Sequence, residues 1–194
     1  ASFYRDPVEW HDLLDRLAEA HAKVRQHNPQ SRVEIIYAGN IFDMRRTHFW
    51  FQQAEHTPWR HFQVVEGDAH AKPPASTEYL ERAVQLFNQI MIHPNVAPIK
   101  GILGDKLADR FGGIEPMRLY MPGDADRLIN MHPQIRARVI DFLGLDLGRS
   151  GPWDPNAAFP HHWVDYDHGV LVRHGHEYDV YSFEGDPNTP EDYY

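Results

Sequence analysis

The stretch IIYAGNIFDMRR, residues 35–46, sets the architecture, and MPGDADRLIN, residues 121–130, follows the same pattern. In each stretch a short apolar run ends at a glycine and is followed at once by polar side chains. Such runs predict buried strands, and the glycine lets the chain leave the strand in a tight turn. The carboxyl edge of a sheet is where α/β proteins place their binding and catalytic groups. Asn40 and Asp124 are therefore candidate site residues.

A third strand end follows the apolar run GVLV, residues 169–172, and carries HGHEYD, residues 174–179. Carboxylate, amide and imidazole groups gathered from several strand ends can form a two-metal site, which polarises a phosphate and generates hydroxide at neutral pH. His174 and His176 are therefore candidate metal ligands at the same edge of the sheet.

Each candidate also has an ordinary structural interpretation. A His-x-His pair such as His174 and His176 is often two surface imidazoles. Asp124 and Asp126 are residue types that cap a following helical segment. Asn40 is as typical of a turn that leaves a strand as it is of a ligand.

Helices alternate with strands along the chain, which predicts one α/β domain. The first helix starts at the capping residue Asp6, and Leu13, Leu14, Leu17, His21 and Val24 are predicted to form its inward face. Pro133 opens a later helix that Gly144 closes. The predicted elements are helices at 6–26, 76–91, 99–111 and 133–143, strands at 33–38 and 117–121, and a hairpin of 162–166 with 170–173.

Composition narrows the classes of protein and partner. The 194 residues include 28 acidic and 19 basic side chains, giving a net charge of −9, which disfavours a broad nucleic-acid surface because phosphates need a basic face. The chain contains no cysteine, so it can form no disulfide and cannot use a thiol in catalysis. No apolar run is long enough to span a membrane, and no leader-like segment opens the chain. We therefore expect a cytoplasmic protein, with its oligomeric state left open.

The three strand ends, in their order along the chain, resemble the motifs of the calcineurin-like metallophosphoesterases, which are binuclear phosphatases and phosphodiesterases. AGNIFD is similar to the second motif of that family, Gly-Asp, and PGDADR resembles the third, Gly-Asn-His-Asp. VLVRHGHEYD resembles the fourth, a strand followed by His-Gly. The resemblance covers about residues 33–185 and implies a layered α/β/β/α fold. It also implies a metal-dependent phosphoesterase that hydrolyses a phosphomonoester or phosphodiester with a metal-bound hydroxide.

The resemblance further implies up to two divalent ions, Mn, Fe or Zn, and a phosphorylated small molecule or nucleotide as the substrate. By position, Asn40 stands where the family has a metal-bridging Asp, and Asp124 where it has a metal-ligating Asn. His174 matches a metal-ligating His, and His176 is the remaining candidate ligand. Asp126 matches the acid that orients the general-acid His, which makes it the candidate catalytic residue.

Two positions depart from the family pattern. Asn40 replaces a bridging carboxylate by a neutral amide, which weakens the affinity for a second cation. Ala125 stands where the family has the His that protonates the leaving group, and such a loss typically lowers the rate by about 10²–10⁴. The first motif, Asp-x-His on an opening strand, and the last, Gly-His-x-His, are not visible. The fold is therefore expected to be incomplete at both ends.

Two functions remain open at this point. The first is a phosphoesterase whose activity is impaired by Asn40 and Ala125. The second is a catalytically inactive binding or scaffold module with the same fold, because a fold alone does not fix a function. In either case we expect a single domain over residues 1–194, with residues 66–113 as a candidate cap over the site.

Overall fold

Two parallel strands bring the first two predicted strand ends together. The computed structural model describes residues 7–44, 47–51, 77–145 and 156–175. Strand β1 (Glu34–Ala38) pairs in parallel with β2 (Met117–Met121). Both strands confirm the predictions from their apolar runs. Because the two strands run in the same direction, Gly39 and Pro122 leave the sheet at the same edge.

The connection from β1 to β2 is helical throughout most of its described part. It contains α2 (Thr77–Met91), α3 (Val96–Lys100), one π-helical turn (Gly101–Asp105) and α4 (Leu107–Arg110). The helix predicted over residues 99–111 is thus helical over most of its length, but it is divided into the end of α3, the π-helical turn and α4. The π-helical turn interrupts it where the backbone passes Phe142, whose carbonyl oxygen would lie 2.6 Å from a Cβ on Gly104. A glycine is needed there for the two segments to approach.

These helices pack into the core beside the strands. Residues 77–113 are the described part of the predicted cap, and they contribute a run of buried apolar side chains. Phe87 of α2 packs on Phe42, with ring centroids 5.2 Å apart, directly behind the loop that leaves β1. The buried side chains of this segment are Ala83, Leu86, Phe87, Val96, Ile102, Leu103, Leu107 and Phe111.

The first helix, α1 (Pro7–His27), buries a narrower face than its sequence pattern predicts. Leu14 and His21 are buried as expected. Leu13, Leu17 and Val24 are exposed, so their assignment to the inward face is wrong. Positions 14 and 21 lie on one stripe of a helix, and positions 13, 17 and 24 lie on the neighbouring stripe. The apolar pattern covers both stripes, but the core contacts only the first.

Helix α5 (Pro133–Leu143) begins and ends where the sequence predicts. Pro133 occupies the first turn, and the ring of the preceding His132 accepts a hydrogen bond from the Gln134 amide at 3.2 Å. At the other end Gly144 adopts a left-handed conformation, with φ of +59°. Arg118 of β2 donates to the carbonyl oxygens of Leu143 and Gly144, at 3.2 and 3.0 Å, which satisfies the end of the helix.

A 3₁₀ helix (Asp124–Met131) connects β2 to α5, and the predicted hairpin is present as β3 (His162–Asp165) and β4 (Val170–Arg173). These strands pair antiparallel, so the described part of the chain has one parallel and one antiparallel two-stranded sheet among its helices. This is an α/β architecture, and the finer layered arrangement stays a prediction. No helix in the described ranges is both long and apolar enough to cross a membrane.

Candidate functional site

The carboxyl ends of β1, β2 and β4 meet at one edge of the fold. Gly39 and Asn40 leave β1, Gly123 and Asp124 follow β2, and His174 follows β4. The His174 ring lies against both glycines, since a Cβ added to Gly39 would collide with the ring. A Cβ on Gly123 would lie 2.7 Å from His174 Nε2 and 2.5 Å from Asn40 Oδ1. The structure therefore brings Asn40, Asp124 and His174 together.

The two glycines are required for different reasons. Gly39 has a φ of +69°, a backbone conformation that residues other than glycine rarely adopt. It also lies directly against the His174 imidazole. Gly123 has an extended backbone, with φ of −92° and ψ of −172°, that any residue can adopt. Only the close approach of His174 and Asn40 demands glycine at position 123. The lack of a side chain at both positions makes room for the imidazole.

Asn40 forms a clamp with the segment that follows β2. It is the non-glycine residue with positive φ, 54°, among the described residues, a conformation that asparagine tolerates better than most residues. Its side-chain amide donates to Asp124 Oδ1 at 2.9 Å, and its side-chain oxygen accepts the Ala125 amide at 3.0 Å. Asparagine is therefore both the turn residue and a neighbour of the candidate ligands, so the two interpretations of its sequence position coexist.

Asp126 lies behind the edge and is completely buried. Its Oδ2 accepts the Ile41 amide at 2.8 Å and the Tyr120 hydroxyl at 2.7 Å, while its Oδ1 accepts the Phe42 amide at 2.9 Å. The hydrogen bonds described for the Asp126 side chain thus come from the loop after β1 and from β2. The neighbouring residue 125 is an alanine, so it offers no imidazole for Asp126 to orient.

Burial controls the ionisation of this interior pair. It raises the pKa of Asp126 to about 6, although the hydrogen bonds from Tyr120 and the two backbone amides oppose that shift. Burial, together with the neighbouring Asp126 carboxyl group, raises the pKa of the Tyr120 phenol well above its ordinary value. Tyr120 is therefore protonated at neutral pH and acts as the hydrogen-bond donor.

The edge presents a mixed set of potential metal ligands. Asp124 offers a carboxylate, His174 an imidazole and Asn40 an amide oxygen, and Asn40 is exposed to solvent while His174 is half-buried. Within residues 7–44, 47–51, 77–145 and 156–175, no group of three or more His, Asp or Glu side chains is placed to hold a metal ion. His176 lies outside the described residues. Carboxylate, imidazole and amide groups are donor types that a cation accepting nitrogen and oxygen ligands can use, and their assignment as metal ligands stays a prediction.

Three hydrogen-bond donors at this edge could not be identified from the sequence. Tyr120 anchors Asp126, and the backbone amides of Ile41 and Phe42 supply the other donors. A tyrosine inside a buried strand signals that its hydroxyl has a partner nearby, but the pattern does not identify that partner.

In comparisons with protein-family models, with curated proteins and with solved structures, nothing matched the chain.

Proposed function

We propose that this chain is a metal-dependent phosphoesterase of the calcineurin-like type, which binds a divalent ion at the edge formed by Asn40, Asp124 and His174. One observation carries the proposal: three strand ends that are distant in sequence converge on two glycines, in the order that the resemblance implies. If Asn40 were only a turn residue, the other two strand ends would not have to lie beside it. The imidazole seated against both glycines is the part of this geometry that an ordinary hairpin end does not explain.

The roles of the residues follow from their chemistry. The Asp124 carboxylate and the His174 imidazole would hold the ion, and the Asn40 side chain orients Asp124 through its hydrogen bond of 2.9 Å. A bound Mn, Fe or Zn ion would polarise a phosphoryl oxygen and lower the pKa of water. Asn40 is exposed on the side from which a phosphate can approach, and Asp124 is buried directly beside it.

The substrate class that fits this edge is a phosphorylated small molecule or a nucleotide. The net charge of −9 repels long polyanions, whereas a single phosphate group can be attracted locally by one bound cation. We therefore propose a compact substrate with a phosphomonoester or phosphodiester group, and we do not propose a nucleic-acid strand.

Metal retention is the first test of this proposal. The protein is incubated with Mn²⁺ or Zn²⁺ and desalted, and its metal content is measured by mass spectrometry. We expect about one ion per chain, which His174→Ala removes because it deletes the nitrogen ligand. His168→Ala is the matched control, since His168 lies on the exposed turn of the same hairpin and pairs with Asp165. Metal content that is zero, or equal in both variants, contradicts the proposal.

A second candidate function, a catalytically inactive binding module, is favoured by two residues of the same edge. The Asn40 amide donates to the Asp124 carboxylate, which satisfies part of a ligand group within the protein. Ala125 is buried and offers no proton to a leaving group. Hydrolysis of a chromogenic phosphomonoester and phosphodiester separates the two functions. Turnover above the His174→Ala background supports the enzyme, and metal retention without such turnover supports the binding module.

A further inference from the structure

We propose that Asp126 is a positioning residue: it fixes the loop that presents Asn40 to Asp124, so the edge is already formed before any cation binds. The predicted effect on metal affinity rests on the proposed function. The predicted effect on the loop does not, because it concerns hydrogen bonds within the protein alone.

The carboxylate of Asp126 is stabilised by the loop rather than by a positive charge. Its three hydrogen-bond donors are the Ile41 amide, the Phe42 amide and the Tyr120 hydroxyl, at 2.8, 2.9 and 2.7 Å, and none of them is cationic. A fully buried carboxylate is costly without such donors. Conversely, the two backbone amides lose their partner if the carboxylate is removed, and an orphaned buried amide is also costly. The loop and the carboxylate therefore hold each other in place.

The loop after β1 and the start of the 3₁₀ helix each donate hydrogen bonds to the other. The Ala125 amide donates to Asn40 Oδ1 at 3.0 Å, and the Met44 amide donates to the Ala125 carbonyl oxygen at 3.3 Å. Together with the two amides bound by Asp126, these bonds connect residues 40, 41, 42 and 44 to residues 124–126. Asn40 is the first residue of this connected loop, so pinning the next two residues fixes its left-handed backbone and the direction of its side chain.

Asp124 and Asp126 are close in sequence but have different roles. Asp124 lies at the edge beside Asn40 and His174 and is the candidate ligand. Asp126 has its carboxylate turned inward and engaged by three donors, so it contributes to the edge only through the loop. The described bonds that set the position of Asn40 against Asp124 join protein groups to one another. We therefore expect the edge to keep its geometry without an ion.

Amide hydrogen exchange followed by NMR tests this inference on the whole chain treated with EDTA. In the wild type we expect the amides of Ile41 and Phe42 to be protected without metal. In Asp126→Asn, where one side-chain oxygen becomes a donor, we expect these two amides to exchange about 5- to 30-fold faster relative to those of β2, the factor for one or two lost hydrogen bonds. Tyr120→Phe keeps both backbone contacts, so the two amides should stay protected relative to β2.

Zinc affinity measured by calorimetry gives the second readout. We expect Asp126→Asn to weaken Zn²⁺ binding by about 10- to 100-fold, as happens when groups that orient a ligand are lost. Asp141→Asn is the matched control, because Asp141 is an exposed aspartate of α5 that pairs with Lys100 at 2.8 Å. It should leave both the zinc affinity and the exchange of the loop unchanged.

The outcomes are distinct. Loop amides that are unprotected in EDTA-treated wild type and become protected only with Zn²⁺ overturn the inference, as does an Asp126→Asn variant in which all amides accelerate equally. If Asp126→Asn does not fold, the wild-type exchange decides alone, with protection supporting the inference and free exchange overturning it. If the wild type binds no zinc, the proposed function fails, while the exchange result still supports or overturns the preformed loop.

Discussion

Replacing Gly123 by alanine inserts one methyl group between Asn40 and His174. The backbone at position 123 is extended, with φ of −92° and ψ of −172°, so alanine introduces no conformational strain there. The cost is therefore entirely steric. The new Cβ would lie 2.5 Å from Asn40 Oδ1 and 2.7 Å from His174 Nε2, where ordinary contacts begin at 3.4 Å.

The expected loss of stability follows from overpacking. Forcing an extra methyl group into a filled space costs about 1–3 kcal/mol. For a chain of this size the loss lowers Tm by about 2–12 °C, which thermal unfolding in EDTA resolves. Gly101→Ala is the control, because a Cβ at Gly101 meets nothing within 4 Å and its backbone is helical, with φ of −60°. Alanine there is neutral or stabilises by up to about 1 kcal/mol.

A double-mutant cycle identifies the atoms responsible. If the methyl group collides with the imidazole, Gly123→Ala should cost at least about 0.5 kcal/mol less in a His174→Ala background than in the wild type. Part of the cost remains, since Asn40 is still close. Equal costs in the two backgrounds, or a Gly123→Ala variant as stable as Gly101→Ala, would refute the placement of His174 against Gly123.

Three further predictions concern other contacts. Asn40→Asp replaces the donor 2.9 Å from Asp124 by a second carboxylate, so in EDTA it should destabilise the protein by about 1–3 kcal/mol, and added Mn²⁺ should restore Tm; equal Tm with and without Mn²⁺ contradicts this. Arg118→Met removes the donors to the carbonyl end of α5 and should cost about 2–3 kcal/mol in urea unfolding. The exposed His168 has its pKa raised by its hydrogen bond to Asp165, so its stabilising contribution is present below the ordinary pKa of histidine and is lost as the pH rises through the shifted value. An NMR titration should show that shift, and Asp165→Asn should remove most of it, because Asp165 is the largest cause.

The parts of the fold that could be predicted are those with local signals. The apolar runs before Gly39 and Gly123 mark β1 and β2. Pro133 and Gly144 bound α5, because proline suits the first helical turn and glycine suits the left-handed end. Each signal acts through residues only a few positions away, so the sequence is sufficient to locate it.

Features that depend on distant partners could not be predicted. The close approach of Phe142 to Gly104, within the π-helical turn, depends on a residue 38 positions away, and the sequence of residues 99–111 does not indicate it. The exposed face of α1 likewise depends on which stripe the rest of the chain covers. At the site, the strand ends predict the neighbours Asn40, Asp124 and His174. They do not predict that Asp126 binds the backbone of the opposite loop, since that contact depends on how two segments dock.

The wide separation in sequence of the bonded residues has a consequence for folding kinetics. The hydrogen bonds from Asn40 to Asp124 and from Ile41 to Asp126 join residues 84 and 85 positions apart. Closing loops of that length loses chain entropy before any contact forms, whereas helices and the hairpin need only nearby residues. The three strand ends therefore assemble late, after the helices and the β3–β4 turn. We therefore expect the helices and the hairpin to form first, so the proposed ion can bind at the edge only once these distant segments have met.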